Sequence, residues 1–104
     1  MHLYGMPCDM DKIIVLAKAR GLSVIEDCAQ SFGAAYKGRK TGAFGDCGTL
    51  SFFPGKVLGC FGDGGMVITN NAEVAAKAKA LRNQGSTIKY YYPMHGFNSR
   101  LDTL

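Results

Sequence analysis

The sequence predicts an α/β fold, and three observations lead to this prediction. Two segments carry apolar residues at helical spacing, and each follows a side chain that can cap a helix. Three short apolar runs with β-branched or aromatic residues have the length and composition of buried strands. Charged or glycine-rich loops follow these runs directly. A helix followed by a buried strand indicates an α/β unit, so we expect helices that accompany a sheet.

The first half of the chain is predicted to contain one helix, one strand and a long loop. Asp9 can cap a helix whose apolar residues follow the i, i+3, i+4, i+7 pattern, and Gly21 can end it. Residues 22–25 form a brief apolar run that predicts the first strand. Glycine recurs throughout residues 33–48, which predicts loops and turns with a small hairpin at residues 36–41.

The second half is predicted to contain two strands and the stronger helix. Residues 49–53 predict a strand because they are mainly apolar and aromatic, and residues 66–69 predict another after a glycine-rich loop. Asn71 can cap a helix over Ala72–Arg82, whose many alanines form a narrow surface that can lie closely on a sheet. Residues 89–92 are polar and aromatic, so we expect them to be exposed or at an interface.

Composition and charge exclude several classes of protein. With 47% hydrophobic and 19% charged residues among 104, the chain has a globular rather than a disordered composition. No run approaches the 18 or so apolar residues of a membrane helix. The first residues lack the basic-then-apolar order of a signal peptide, so we expect a cytoplasmic protein. The net charge of +4 favours anionic partners, but the scattered basic residues argue against nucleic-acid binding.

The cysteines and histidines give no metal-binding pattern. None of the four cysteines forms a CxxC pair, and the two histidines are isolated. We therefore expect no metal site, and reduced, mostly buried thiols rather than disulfides. The residues concerned are His2, Cys8, Cys28, Cys47, Cys60 and His95.

Three segments that follow predicted strands carry groups suited to chemistry. In open α/β sheets the ligand lies beyond the carboxyl ends of the strands, where Asp27, Lys56 and the loop at residues 62–65 are expected. A carboxylate, an amine and a glycine-rich loop suit a ligand with a cationic nitrogen, an electrophilic carbon and a phosphate, as in pyridoxal phosphate. Structural alternatives stay open at this point. Asp27 can cap a helical turn, Lys56 can be a solvated loop lysine, and Ser51 can be a core hydroxyl.

Six short motifs follow one another along essentially the whole chain. They are HLYG (2–5), CDMD (8–11), VIEDCAQS (24–31), SFFPGK (51–56), GDGG (62–65) and NSRLD (98–102). This order closely resembles the DegT/DnrJ/EryC1/StrS family of sugar aminotransferases. The resemblance implies that residues 1–104 are a central part of the large domain of a fold-type I pyridoxal-phosphate enzyme, without a second domain. That domain is a three-layer αβα arrangement with a mostly parallel sheet.

The resemblance also implies a role for each of four residues in one active site. Lys56 matches the family lysine that forms a Schiff base with the cofactor and then moves protons as acid and base. Asp27 matches the carboxylate that pairs with the pyridine nitrogen, and Gln30 matches a residue near the ring. Ser51 matches a hydroxyl that binds the cofactor phosphate.

Two further matches imply a dimer. Asn98, and less strongly Arg100, match residues that reach the phosphate of the neighbouring subunit's cofactor, so the resemblance implies a homodimer with shared active sites. Two positions depart from the family pattern. Val57 stands where Asn is common after the lysine, and Phe53 stands where His or Tyr is frequent. Because Phe also occurs there in the branch that acts on 3-keto sugars, Phe53 favours that branch.

The function implied by the resemblance is amino-group transfer. The donor is an amino acid, expected to be glutamate, and the acceptor is a nucleotide-linked keto-deoxysugar, in cell-surface polysaccharide or amino-sugar biosynthesis. An alternative is a non-catalytic fragment or interaction module that keeps the fold without a complete active site. The isolated 104-residue chain is expected to be inactive. A dehydratase of the same family is disfavoured, because those enzymes resemble this pattern except for His at the position of Lys56.

Overall fold

The computed structural model describes residues 1–102 as an α/β arrangement. Over these residues a one-turn 3-10 helix, Leu3–Gly5, precedes two α-helices and five short strands. The elements are α1 (Met10–Ala19), β1 (Ile25–Asp27), β2 (Ala35–Tyr36), β3 (Arg39–Lys40), β4 (Cys47–Ser51), β5 (Gly65–Ile68) and α2 (Ala72–Arg82).

The main sheet has the strand order β1-β4-β5 and is mixed. Strand β1 pairs parallel with β4, with Asp27 opposite Thr49. Strand β4 pairs antiparallel with β5, with Ser51 opposite Gly65. The predicted α/β class is therefore confirmed, with one parallel and one antiparallel pairing among the described residues. Strands β2 and β3 form a separate antiparallel hairpin, as the sequence predicts.

The first strand begins later than predicted, because the residues between α1 and Ile25 make hydrogen bonds outside the sheet. Residues 22–25 were the expected strand, but only Ile25 belongs to β1. The Leu22 amide still bonds to the carbonyl of Ala17 and so completes the end of α1. Val24 makes two hydrogen bonds with Asp46 that are not part of the sheet. The Val24 amide donates to the Asp46 carboxylate, and the Asp46 amide donates to the Val24 carbonyl. The other two sheet strands begin one or two residues before the predicted positions.

Both predicted helix caps are present. The side chain of Asp9 accepts a hydrogen bond from the Lys12 amide at the start of α1. The Asn71 side chain accepts from the amides of Glu73 and Val74, at 2.9 and 3.3 Å, at the start of α2. Caps of this kind satisfy amides that have no partner inside the helix. They fix both helix starts at the residues that the sequence indicates.

Much of the apolar surface of the described residues is exposed. A cavity of about 820 Å³ separates α2 from the sheet, so the alanine surface of α2 does not lie closely on β4 and β5. Large exposed apolar side chains of this kind are typical of interaction surfaces. The three tyrosines at residues 90–92 are all exposed, as expected.

All four cysteines are free, one buried and three half-buried. Neither described helix has the length and apolar character needed to cross a bilayer.

Candidate active site

The loop after β4 is folded tightly around the turn that carries Lys56. The Lys56 amide donates to the Phe53 carbonyl at 2.8 Å, which closes the turn. The Cys60 amide donates to the Phe52 carbonyl at 2.8 Å and so returns the chain to the end of the strand. A Cβ atom at Gly59 would lie only 2.5 Å from a backbone oxygen of the same loop. This return therefore requires a glycine.

Lys56 shares a cavity of about 330 Å³ with two other predicted site residues. Gln30 and Ser51 line this cavity, together with Tyr4 and several apolar side chains. Its volume lies near the lower end of the roughly 300–1,000 Å³ typical of small-molecule sites. An amine, a hydroxyl and a carboxamide thus meet at one opening beside the end of β4, which we call the Lys56 cavity.

Asp27 lies at the carboxyl end of β1, next to the residues that line the Lys56 cavity. Its Oδ1 atom accepts the Ala29 amide at 3.0 Å, so the predicted capping of a turn does occur. Its Oδ2 atom accepts no hydrogen bond from residues 1–102. Because Asp27 is opposite Thr49 in the parallel register, it shares a sheet face with Thr49 and Ser51. One carboxylate oxygen is therefore available on the face that carries Ser51.

In both Gln30 and Ser51 the side-chain oxygen accepts a backbone hydrogen bond. The Gln30 Oε1 atom accepts the Tyr4 amide at 2.9 Å. The Ser51 Oγ atom accepts the Phe53 amide at 3.3 Å, which leaves its proton to donate elsewhere. Both side chains therefore have donor groups left for a ligand in the Lys56 cavity.

Asn98 and Arg100 are not among the residues that line the Lys56 cavity. Asn98 forms an isolated antiparallel bridge with Asn83, just after α2. The Arg100 Nε atom donates to Asn98 Oδ1 at 3.4 Å, and both side chains are exposed. The structure thus groups Lys56, Gln30 and Ser51, with Asp27 beside them, and leaves this pair on a separate surface.

A buried carboxylate network beside the site was not foreseen from the sequence. Glu26 is only 3% exposed and accepts hydrogen bonds from His2 Nε2 (3.1 Å) and from the amides of Gly42, Phe44 and Gly45 (2.8, 2.6 and 2.7 Å). Burial would raise the pKa of Glu26, but these four hydrogen bonds outweigh it and hold the pKa below its ordinary value. We call Glu26 with these four donors the carboxylate anchor.

Two residues of the carboxylate anchor belong to a group of three side chains that could also hold a metal ion. Ligand atoms of His2, Glu26 and Cys28 lie within 4.8 Å of one another, and all three residues are buried. Both oxygens of Glu26 already accept two hydrogen bonds each, so the anchor is satisfied by protein donors. The sequence contains one signal for the separate position of Glu26. Successive residues of a strand point to opposite faces, so Glu26 and Asp27 lie on opposite faces of β1.

Comparison with known proteins decides the family. The model of the DegT/DnrJ/EryC1/StrS aminotransferase family matches residues 1–104. The chain belongs to this family. It is 54% identical over 104 residues to the UDP-N-acetyl-3-dehydro-alpha-D-glucosamine 3-aminotransferase of Acidithiobacillus ferrooxidans, covering all of this chain and 28% of that protein. The chain therefore spans less than a third of the length of such relatives.

Solved structures of aminotransferases share the fold. DesV of Streptomyces venezuelae, crystallised in complex with a ketimine intermediate, superposes with a TM-score of 0.92 at 52% identity, over 96% of this chain and 27% of that one. NtdA of Bacillus subtilis with the bound cofactor PMP gives a TM-score of 0.85 at 36% identity, over 96% of this chain and 23% of that one. The predicted family and fold class are thereby confirmed, and aminotransferases of this family depend on pyridoxal or pyridoxamine phosphate.

Proposed function

We propose that this chain carries the catalytic lysine of a pyridoxal-phosphate-dependent aminotransferase that acts on a nucleotide-linked keto-deoxysugar. One observation above all supports the proposal. In a chain of this family, Lys56, Gln30 and Ser51 line one cavity beside the carboxyl ends of β1 and β4. Ligands of α/β sheets bind at this edge.

The donor set of the cavity fits the cofactor. When bound, pyridoxal phosphate supplies an electron sink for the carbon that gains or loses the amino group. The Lys56 amine has the chemistry to bond to the cofactor aldehyde and then to carry a proton to and from that carbon. The available Oδ2 of Asp27 would hold the proton on the ring nitrogen, and the Ser51 hydroxyl would donate to the phosphate. Gln30 would donate an amide hydrogen near the ring.

The family and one position in the loop support a substrate class. The relative of Acidithiobacillus ferrooxidans is named for a 3-dehydro sugar linked to UDP. Phe53, in the Lys56 loop, favours the same ketone position in this chain. We propose a nucleotide-linked 3-keto sugar as acceptor and glutamate as donor, in cytoplasmic amino-sugar or cell-surface polysaccharide biosynthesis. The net charge of +4 is compatible with an anionic nucleotide sugar.

We further propose a homodimer in which Asn98 and Arg100 face the active site of the other subunit. Both side chains are exposed on a surface outside the Lys56 cavity. Phe97, beside them, is 70% exposed, and residues 90–92 add three exposed aromatic rings. Aromatic and arginine side chains are enriched in protein interfaces. Sedimentation of the natural-length protein tests this proposal, because a monomer that still binds cofactor would contradict it.

The assignment of Lys56 is tested by covalent trapping of the cofactor. Borohydride reduction of the protein incubated with pyridoxal phosphate is expected to attach the cofactor to the peptide that contains Lys56, as detected by mass spectrometry. Lys56→Ala should lose both this adduct and the visible absorbance of the lysine-linked cofactor. Lys77→Ala is the matched control, since Lys77 is an exposed lysine on α2 outside the Lys56 cavity. Retention of the absorbance in Lys56→Ala would exclude the assignment.

The alternative of a non-catalytic interaction module needs a separate measurement. It predicts that the natural-length protein gives no adduct at Lys56 and no visible absorbance with the cofactor. Transamination of a nucleotide-linked keto sugar with glutamate, measured as formation of 2-oxoglutarate, would rule it out.

A further inference from the structure

A buried histidine, His2, attaches the turn at residues 2–5 to the protein interior. His2 is 1% exposed, whereas its neighbours Met1 and Leu3 are 59% and 45% exposed. The His2 Nδ1 atom accepts the Cys8 amide at 3.1 Å, so the ring proton belongs on Nε2, which donates to Glu26 Oε2 at 3.1 Å. The His2 amide donates to the Asp27 carbonyl at 3.0 Å. The turn is thus attached to the end of β1 at two points.

The carboxylate anchor makes this attachment rigid. Three of the four donors to Glu26 are backbone amides of the loop at residues 42–45, so both oxygens have fixed positions. The remaining donor is His2. Since Glu26 lies directly before Asp27, the ring of His2 is positioned relative to the strand end that also bears the site carboxylate.

The consequence of this attachment appears at Tyr4. Tyr4 is 87% exposed and has a φ of +52°, in the left-handed region that residues other than glycine rarely adopt. Its amide donates to Gln30 Oε1 at 2.9 Å. Backbone of this type persists when its surroundings hold it in place, and such positions are frequent at functional sites. Here the surroundings are the hydrogen bond from the Met6 amide to the Leu3 carbonyl and the contacts of His2.

The Tyr4 amide determines which end of the Gln30 carboxamide can serve a ligand. A carboxamide has one oxygen that accepts and one NH₂ group that donates. Because the oxygen is bonded to the Tyr4 amide, the NH₂ group is the end that has both hydrogens to offer. Gln30 therefore presents a donor to the Lys56 cavity, and this polarity depends on where the 2–5 turn lies.

We propose that His2 is a positioning residue of the active site: through Glu26 it holds the 2–5 turn, so that the Tyr4 amide fixes Gln30 as a hydrogen-bond donor to an oxygen of the bound ligand. The inference rests on the proposed function only for the identity of that ligand. Its structural part concerns residues of this chain alone and is measurable without cofactor.

Amide hydrogen exchange at Tyr4 tests the structural part in the natural-length protein without cofactor. His2→Ala should speed exchange at Tyr4 by about tenfold, the size expected for loss of one hydrogen bond at an otherwise exposed amide. Amides within α2 should keep their rates. His95→Ala is the matched control, because His95 is exposed and outside the Lys56 cavity. His2→Gln should restore protection, since its side-chain amide can donate to Glu26. Unchanged exchange at Tyr4 in His2→Ala would overturn the proposal.

Cofactor binding tests the functional part. The wild-type protein is titrated with pyridoxal phosphate, and the dissociation constant and the position of the visible band are compared with those of His2→Ala, His2→Gln and Gln30→Glu. Gln30→Glu replaces the donor by a carboxylate and should weaken binding most. His2→Ala should weaken binding by about tenfold and shift the visible band in the same direction as Gln30→Glu does. His2→Gln should reverse both effects.

The outcomes separate the two proposals. If the wild-type protein shows no visible band, the proposed function fails, while faster exchange at Tyr4 in His2→Ala still supports the role of His2 in holding the turn. If the wild-type band is present, and His2→Ala speeds exchange at Tyr4 but leaves the band and the dissociation constant unchanged, the positioning role is overturned.

Discussion

Replacement of Glu26 by glutamine should destabilise the protein strongly, because the glutamate is the acceptor for four donors. Glutamine keeps the shape of the side chain but has only one accepting oxygen. In either orientation of the amide, two of the four donors lose their acceptor and face an NH₂ group instead. A buried donor left without a partner costs about 1–3 kcal/mol, so the expected loss for two donors is about 2–6 kcal/mol. This is a large part of the roughly 5–15 kcal/mol by which folded domains are stable.

Denaturation with urea at neutral pH measures this loss as a lower free energy of unfolding for Glu26→Gln. The matched control is Glu73→Gln, since Glu73 is an exposed residue in the first turn of α2 and its loss should cost about 0.5 kcal/mol. Equal effects of the two substitutions would refute the reasoning, because they would mean that the four hydrogen bonds of Glu26 add nothing beyond its charge.

The difference in stability between the wild-type protein and Glu26→Gln should also depend on pH. The pKa of Glu26 in the folded protein lies below its ordinary value of 4.5. Its contribution to stability is therefore complete above that ordinary value, and it is lost as the pH falls through the folded pKa. The difference in stability between wild type and Glu26→Gln should accordingly shrink on acidification. A difference that stays constant down to pH values well below 4.5 would contradict the assigned pKa direction.

Three further predictions concern the site loop, a helix cap and the carboxylate anchor. Gly59→Ala should weaken cofactor binding by about tenfold or more in a titration, because its Cβ would lie 2.5 Å from the Pro54 carbonyl oxygen; Gly62→Ala, with open space around the added atom, should have little effect. Asn71→Ala should lower the free energy of unfolding by about 1 kcal/mol in urea, since it removes the acceptor for two amides at the start of α2. Prolonged treatment with EDTA should leave the melting temperature unchanged, because protein donors already satisfy the carboxylate anchor; a fall would indicate a structural metal.

The features that the sequence predicts correctly are local or belong to continuous motifs. The caps at Asp9 and Asn71 depend on residues two or three positions away, and both are present. The loop that carries Lys56 follows a strand, and its position was readable from the apolar run and the proline after it. The first strand starts at Ile25 rather than at residue 22, because its start depends on hydrogen bonds to residues 46 and 47, about 20 positions later.

The alanine surface of α2 shows why packing was harder to predict than secondary structure. Small side chains on one helix face permit close approach to a sheet, but they do not supply the partner surface. Among the described residues the sheet lies across a cavity from Ala75 and Ala78. The sequence pattern therefore identifies the helix without specifying what fills the space beside it.

Glu26 and Asp27 show how neighbouring carboxylates of one strand meet different surroundings. They are adjacent in one strand and identical in charge, so composition and spacing do not distinguish their roles. Alternation along the strand turns them to opposite faces, and the donors they meet come from residues 15 or more positions away for Glu26 but only two positions away for Asp27. Glu26 has both oxygens saturated, so it is not available to hold a proton for a ligand. Asp27 keeps one oxygen without a partner among the described residues, as its proposed pairing with a cationic ring nitrogen requires.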